Sequence, residues 1–249
     1  MRFDCNAFFG HWHYWPIPHT TVADIVGLMD RFGIDRAAVC SLRGLFGDWR
    51  VSNAETLAAA GAHPGRFVPV AVLSPMLGGG GAAVGRLAAE GFRAIRLYPL
   101  LHGYRLHDRF VEEVCSAAGQ AGLSVIVPTR PMMNFRFATV PIEEVGALAG
   151  RHPQTRFLLS GPNYLTEYRS AVHVLRERPN VWIETSCMQA MEALRRVVED
   201  VGADRVLFGT GLALHYPACN VVKLTSARIP EDARAAVGAG NAERFFGLS

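Results

Sequence analysis

The sequence predicts an α/β fold, a (β/α)8 TIM barrel built as a single domain over residues 1–249. Three observations carry this reading. About eight short apolar runs alternate with amphipathic stretches, and no two runs are joined by a hairpin turn. The runs are apolar on both faces, as parallel strands covered by helices must be. The 249 residues match the roughly 250 that a barrel of eight βα units needs. A doubly wound sheet would want a glycine fingerprint after its first strand, and none stands there.

The elements follow in order. Residues 4–8 form the first strand, and Asp4, Asn6 and Phe8 share one of its faces by the two-residue period. Thr20 or Thr21 caps a helix with apolar positions Val22, Ile25, Val26 and Met29, closed by Gly33. Residues 37–42 read as a buried strand; Ser52 and Glu55 then offer a capping box for a helix ending at Gly61. Residues 67–73 give the third strand and residues 92–98 the fourth, with a helix through Glu90 between them. The four glycines at 78–81 lack the Lys-Ser/Thr of a phosphate loop and read as a linker. Asp108 opens a helix to Gln120, and residues 123–127 form the fifth strand, stopped by Pro128. A helix begins with Pro141 at its first position, followed by acids that suit the positive end of its dipole. Residues 155–159, 181–185 and 205–208 complete the strands.

Composition excludes several classes. With 25 basic and 22 acidic residues the formal charge is +3, too small and scattered for a nucleic-acid or membrane-surface partner. No run approaches the roughly 20 apolar residues of a membrane span. The start lacks a charged region followed by an apolar one, so a cytoplasmic location is expected. The five cysteines are far apart with no Cys-x-x-Cys, which points to buried reduced thiols and away from a disulfide framework or structural zinc.

Several segments together resemble the amidohydrolase superfamily, in the branch of aminocarboxymuconate semialdehyde decarboxylase and related decarboxylases and lactone hydrolases. They are residues 4–10 (DCNAFFG), 91–99 (GFRAIRLYP), 122–129 (GLSVIVPT), 204–211 (DRVLFGTG) and 241–248 (NAERFFGL). The resemblance implies a barrel with a metal at its mouth, yet the ligand positions carry other residues. Asn6 and Phe8 stand for the two first-strand histidines, Pro128 for the fifth-strand histidine and Gly211 for the eighth-strand aspartate. The sixth-strand histidine, which acts on substrate or its water, is replaced by Ser160. A catalytic zinc site needs about three protein donors, so no metal and no other cofactor is expected. His11 and His13 form a His-x-His just past the first strand and leave open a relocated metal site.

Barrel strand ends converge on one mouth. The candidate substrate-binding residues there are Asn6, Phe8, Arg96, Tyr98, Arg130, Ser160, Asn163 and Thr210. Ser41, Arg43, Thr129, Ser186 and Cys187 also fall at strand ends. A buried Arg96 calls for an anionic ligand or Glu184 as its partner. Glu184, in an apolar strand, is either half of an ion pair or a general acid/base, with His13 and His215 as the other catalytic candidates. Cys187 is a nucleophile only if a base lowers its pKa. Phe8, Trp12, Tyr14, Trp15, Trp49, Tyr98 and Phe135 form an aromatic mouth suited to a flat ring, or pack the loops. The expected function is a metal-independent lyase, decarboxylase or hydrolase acting on a small, carboxylated, aromatic or conjugated molecule. The alternatives are a degenerate barrel that binds a small molecule or partner without turnover, and a metal hydrolase using His11 and His13. A homodimer is compatible with either role.

Overall fold

The computed structural model describes residues 1–134 and 137–248, the side chains of 164–166 aside. Phe135 lies outside the described residues. Eight parallel strands run in sequence order around the domain: β1 (Phe3–Phe9), β2 (Arg36–Ser41), β3 (Phe67–Val72), β4 (Ala94–Arg96), β5 (Ser124–Pro128), β6 (Phe157–Ser160), β7 (Val181–Glu184) and β8 (Val206–Leu207). Closure is made by backbone contacts back to β1. Cys5 N–H donates to Phe208 O (2.9 Å), Gly211 N–H donates to Asn6 O (2.8 Å), and Ala7 bridges Leu212. The sheet is a nearly closed (β/α)8 barrel, as the apolar both-face runs require.

Local chemistry explains where the elements start and stop. Thr21 and Asp24 form a full capping box for helix Val22–Phe32, and Gly33, in the left-handed region at φ 61°, ends it. The helix after β2 departs from the reading above. It runs Trp49–Ala62 with Asp48 as its N-cap, because the Asp48 side chain accepts from Arg50 N–H. Ser52 sits inside it, its hydroxyl donating to Ser41 O (3.0 Å), and Glu55 accepts from Ser41 Oγ (2.7 Å). β4 is only three residues long, since Tyr98 caps a short helix, Pro99–His102, that pulls the chain out of the sheet. Pro141 is the N-cap of Ile142–Arg151 and not its first residue.

The closing segment plugs the end of the barrel opposite the mouth. Asn241 Nδ2 donates to Ala203 O and Val206 O (both 2.7 Å), tying helix Asn241–Phe245 under β8. Phe246 stacks on Phe3 at 5.6 Å, and Ser124 Oγ donates to Phe245 O (2.5 Å). Burying aromatics of this size is worth several kcal/mol each, roughly 3–5 when truncated to Ala. The far end is thereby fixed, and variation is left to the loops at the mouth. Among the described residues no helix is long and apolar enough to cross a membrane. Cys5, Cys40, Cys115 and Cys187 are buried free thiols as expected, whereas Cys219 is exposed.

Candidate active site at the barrel mouth

β1 carries a register irregularity between Asp4 and Ala7, and the Asp4 carboxylate stabilises it. Its Oδ1 accepts from Asn6 N–H and Thr210 N–H (2.9 Å each), and Oδ2 accepts from Thr210 Oγ1. Thr210 is therefore a strut between β8 and β1. Complete burial pushes the Asp4 carboxyl up to about 7, against the opposing pull of the Thr210 and Asn6 hydrogen bonds.

The irregularity presents Asn6 and Phe8 to a cleft at the mouth, whose wall also contains Arg96, Arg130, Ser160 and His215. Arg96 is 1 % exposed. Its Nη1 donates to Asn6 Oδ1 (2.7 Å), and its guanidinium lies over the Phe8 ring at 4.8 Å. No carboxylate touches it: Asn6 Nδ2 passes the link on to Ser186 Oγ (3.1 Å) and Glu184 Oε1 (3.5 Å). The expected direct Arg96–Glu184 pair is thus replaced by a relay through a neutral carboxamide. Among the described residues Arg96 Nε and Nη2 and the Tyr98 hydroxyl have no well-aligned hydrogen bond; the hydroxyl lies against the guanidinium and interacts with it. Burial raises the Tyr98 pKa, so that hydroxyl stays a donor.

Glu184 lies behind the wall of the cleft. Its Oε1 accepts from Ser160 Oγ (2.9 Å), Gly161 N–H (2.8 Å) and Ser186 Oγ (2.8 Å), and Oε2 accepts from Ser186 N–H (2.5 Å). Gly209 must lack a side chain, because a Cβ there would run into Oε2. Ser160 and Glu184 are brought together, but as hydroxyl and acceptor in a saturated cage. Lys223 is the cation in its electrostatic field. It donates to Thr185 O and Asn220 Oδ1 (2.7 Å each), and burial pushes its amine down to about 8.

The two histidine candidates separate. His215 lines the cleft, and its Nε2 accepts from Met133 N–H (2.9 Å), which fixes the tautomer as Nδ1–H and clasps segment 131–134 over the opening. Burial lowers its pKa. Gly211, at φ +73°, makes room for that ring, since a Cβ would collide with Nδ1. His13, by contrast, is exposed and tilts on Phe46 at 4.6 Å, away from the cleft. Trp12, Tyr14 and Phe46 cluster with Phe137, so those aromatics pack the loops; Trp49 is buried apart from them, its indole N–H donating to Leu77 O.

Arg130 is buried and ion-paired with Glu167, a partner not foreseen in the sequence because it comes from the helix after β6, one βα unit further along. Asn163 N–H also binds Glu167 (2.7 Å) and its Nδ2 meets Met133 Sδ (3.5 Å), so Asn163 supports the covering segment. Arg43 is exposed and bonded to Glu55 (2.8 Å). Burial pushes the Cys187 thiol up to about 12, which removes it as a nucleophile. The cleft is so narrow that it has room for about one water. Any larger ligand must displace segment 131–134.

Among the described residues, no group of three or more His, Cys, Asp and Glu side chains is placed to hold a metal ion. In fold the chain is similar to the 5-carboxyvanillate decarboxylase LigW from Sphingomonas paucimobilis (TM-score 0.81, 16% identity, covering 100% of this chain and 99% of that one). It is similar also to a dihydroxybenzoic acid decarboxylase from a Polaromonas species, solved with manganese and 2-nitroresorcinol (0.76, 16%, 99% and 97%). A candidate 2-pyrone-4,6-dicarboxylic acid hydrolase from Pseudomonas putida aligns over 100% of this chain and 98% of its own (0.74, 17%). No match was found among curated proteins. The amidohydrolase family model matches residues 12–248, nearly the whole barrel, and the chain belongs to the amidohydrolase family.

Proposed function

We propose that this barrel is an amidohydrolase-family lyase or hydrolase that acts, without a bound metal, on a small flat carboxylate held by Arg96. The observation that carries the reading is the free edge of that guanidinium. Nε–H and Nη2–H lie side by side on one edge of the group, and both are buried without partners while Nη1 is taken by Asn6. That edge matches the two oxygens of a carboxylate. A buried cation left half-satisfied costs free energy in the empty protein, and a carboxylate would offset it. The neighbouring walls, Phe8, Pro128, Pro131, Met132 and Leu214, are apolar and suit a ring.

Metal independence rests on the donor set. The positions that resemblance assigns to ligands hold Asn6, Phe8, Pro128 and Gly211, and three of these have no side-chain donor. A fixed guanidinium already stands in the cleft, where a divalent ion would meet its repulsion. A relocated set on His11 and His13 lacks a third donor among the described residues.

Arginine binding also bears on the reaction. A carboxylate clamped by Arg96 is stabilised in its ground state, so the group that departs in a decarboxylation would be a different one. The clamped carboxylate is read as the handle that stays. His215 is the one imidazole on the cleft and is neutral, hence a base once segment 131–134 lifts from its Nε2. Glu184, walled off and saturated, is assigned to holding Ser160, Ser186 and Asn6 in place. That same seclusion favours a second reading, a barrel that binds the carboxylate and does not turn it over.

Calorimetric titration with benzoate separates these readings from a misassigned cleft. Arg96→Met should weaken binding by about ten- to a hundredfold, since a charge-assisted hydrogen bond contributes roughly 1.5–3 kcal/mol. Equal affinity of wild type and variant would remove the carboxylate reading. Product formation from any bound carboxylate, followed by chromatography, decides between enzyme and binder.

A further inference from the structure

Among the described residues, buried polar side-chain atoms without partners gather at the exits of β4 and β5. Arg96 Nε and Nη2, the Tyr98 hydroxyl, Thr129 Oγ1 and Arg130 Nε are there, while Trp12, Arg36, Ser74, His102 and Tyr104 carry further such atoms elsewhere. Tyr98, Thr129 and Arg130 line a second small cleft, itself with room for about one water, which shares Pro128, Arg130 and Pro131 with the cleft that holds Arg96. Polar atoms buried in this way are uncommon in native proteins and call for a partner.

The two clefts differ in charge. Arg96 has no acid in contact, so its cleft carries one uncompensated positive charge. Arg130 is already neutralised by Glu167. What the second cleft still offers is two hydroxyls and one N–H, with Leu100, Leu101 and Val140 as apolar walls. A second carboxylate there would face the Glu167 carboxylate and compete with it for Arg130, at the cost of burying a poorly matched charge. A carbonyl, ether or hydroxyl oxygen would satisfy the same donors without that cost.

Building on the carboxylate reading of Arg96, we propose that the joined clefts form one site selective for a monoanion. Its carboxylate lies on the Arg96 edge, and a neutral oxygen acceptor on the same molecule lies against Tyr98, Thr129 and Arg130. Tyr98 and Thr129 are then the residues that determine specificity; dicarboxylates are disfavoured, so the loss of a second carboxylate considered above falls away and the reaction this site fits is hydrolysis.

The test is calorimetric titration of three probes, benzoate, 3-acetylbenzoate and isophthalate, into wild type, Tyr98→Phe, Thr129→Val and Arg96→Met. Thr129→Val deletes a hydroxyl without a hydrogen bond among the described residues, so its Tm should equal or exceed that of wild type, and it keeps the test open should Tyr98→Phe, which removes a neighbour of the Arg96 guanidinium, fold less well. For wild type, 3-acetylbenzoate should bind about three- to tenfold tighter than benzoate, and isophthalate no tighter than benzoate. Tyr98→Phe or Thr129→Val should erase the acetyl advantage, read as the ratio of 3-acetylbenzoate to benzoate affinity within each variant. Isophthalate binding as tightly as 3-acetylbenzoate, or an acetyl advantage that survives both variants, overturns the monoanion site while leaving the Arg96 anchor standing. Benzoate binding that is absent, or indifferent to Arg96→Met, removes the anchor itself and this inference with it.

Discussion

Replacing Glu184 by Gln tests whether this buried acid is structural or chemical. The carboxylate is wholly buried, and it accepts from two backbone donors, Gly161 N–H at Oε1 (2.8 Å) and Ser186 N–H at Oε2 (2.5 Å). A glutamine keeps the shape but has one oxygen. Whichever way its amide turns, an NH2 faces one of the two backbone N–H groups, and that donor is orphaned in a dry environment. The Ser160 and Ser186 hydroxyls can rotate to accept from the amide, so the loss centres on the backbone group. An orphaned buried donor costs about 1–3 kcal/mol. For a chain of this length each kcal/mol moves Tm by about 2–4 °C, which gives a fall of about 2–12 °C. Thermal denaturation followed by tryptophan fluorescence, repeated in urea, measures it. The cage reading also requires benzoate affinity within a few-fold of wild type, since Glu184 does not line the cleft. A variant that melts with wild type but loses all turnover would refute the reasoning, and Glu184 would then be exchanging a proton with substrate.

Three further outcomes follow from the same geometry. Asp4 has its folded pKa raised to about 7, so its contribution to stability is full below the ordinary carboxyl value near 3.9 and is lost as pH rises through about 7. Asp4→Asn mimics the protonated form and should therefore be more stable than wild type above pH 7, by a few kcal/mol on the order set by three pK units; equal urea midpoints at pH 8 would contradict this. His215 behaves oppositely, because burial lowers its pKa: its clasp on Met133 N–H is intact above the ordinary value of about 6.5 and is lost as pH falls through the lower folded value. Proteolysis within segment 131–134 should accelerate at low pH in wild type, and His215→Gln should flatten that dependence. Elemental analysis of the purified protein should find no stoichiometric zinc, manganese or iron, with Tm indifferent to chelators; one tightly held ion per chain would show that donors have been misjudged.

Much of the fold was legible because it depends on patterns that span the chain. Eight apolar runs separated by amphipathic stretches leave few arrangements, and runs buried on both faces allow only a covered parallel sheet. What failed were local competitions. Ser52 and Glu55 have the spacing of a capping box, but Asp48 is an equally good cap four residues earlier, and Ser52 finds Ser41 O across the barrel layer instead. β4 looked seven residues long because residues 92–98 are apolar, yet Pro99 starts a helix that takes Tyr98 out of the ladder. At the site, Asn6, Phe8, Arg96, Arg130, Ser160 and His215 reached the cleft because position at a strand exit decides it. The role of Glu184 was not legible, since nothing in Trp182-Ile183-Glu184-Thr185 announces that Gly161 and Ser186 close over the carboxylate. Nor was Asp4 as the strut of β1, although an acid between Phe3 and Cys5 at a strand start was the available signal.

The substitutions at the resembled ligand positions become coherent when taken with Arg96. Phe8 does more than delete a donor: its ring face receives the Arg96 guanidinium at 4.8 Å, a contact that holds a cation without neutralising it. Asn6 does more than weaken a ligand: as a neutral acceptor it orients Nη1 at 2.7 Å and leaves the positive charge intact for whatever enters the cleft. An aspartate at position 6 would place its charge against Arg96 and extinguish that field, and it would also confront Glu184 within hydrogen-bond reach of the same side chain. Asn6→Asp should therefore weaken benzoate binding about as much as Arg96→Met while keeping Arg96 ordered, a pairing of effects that a merely steric role for Asn6 cannot produce. Retained binding in Asn6→Asp, with Arg96→Met defective, would mean that the arginine acts through its shape and not through its charge.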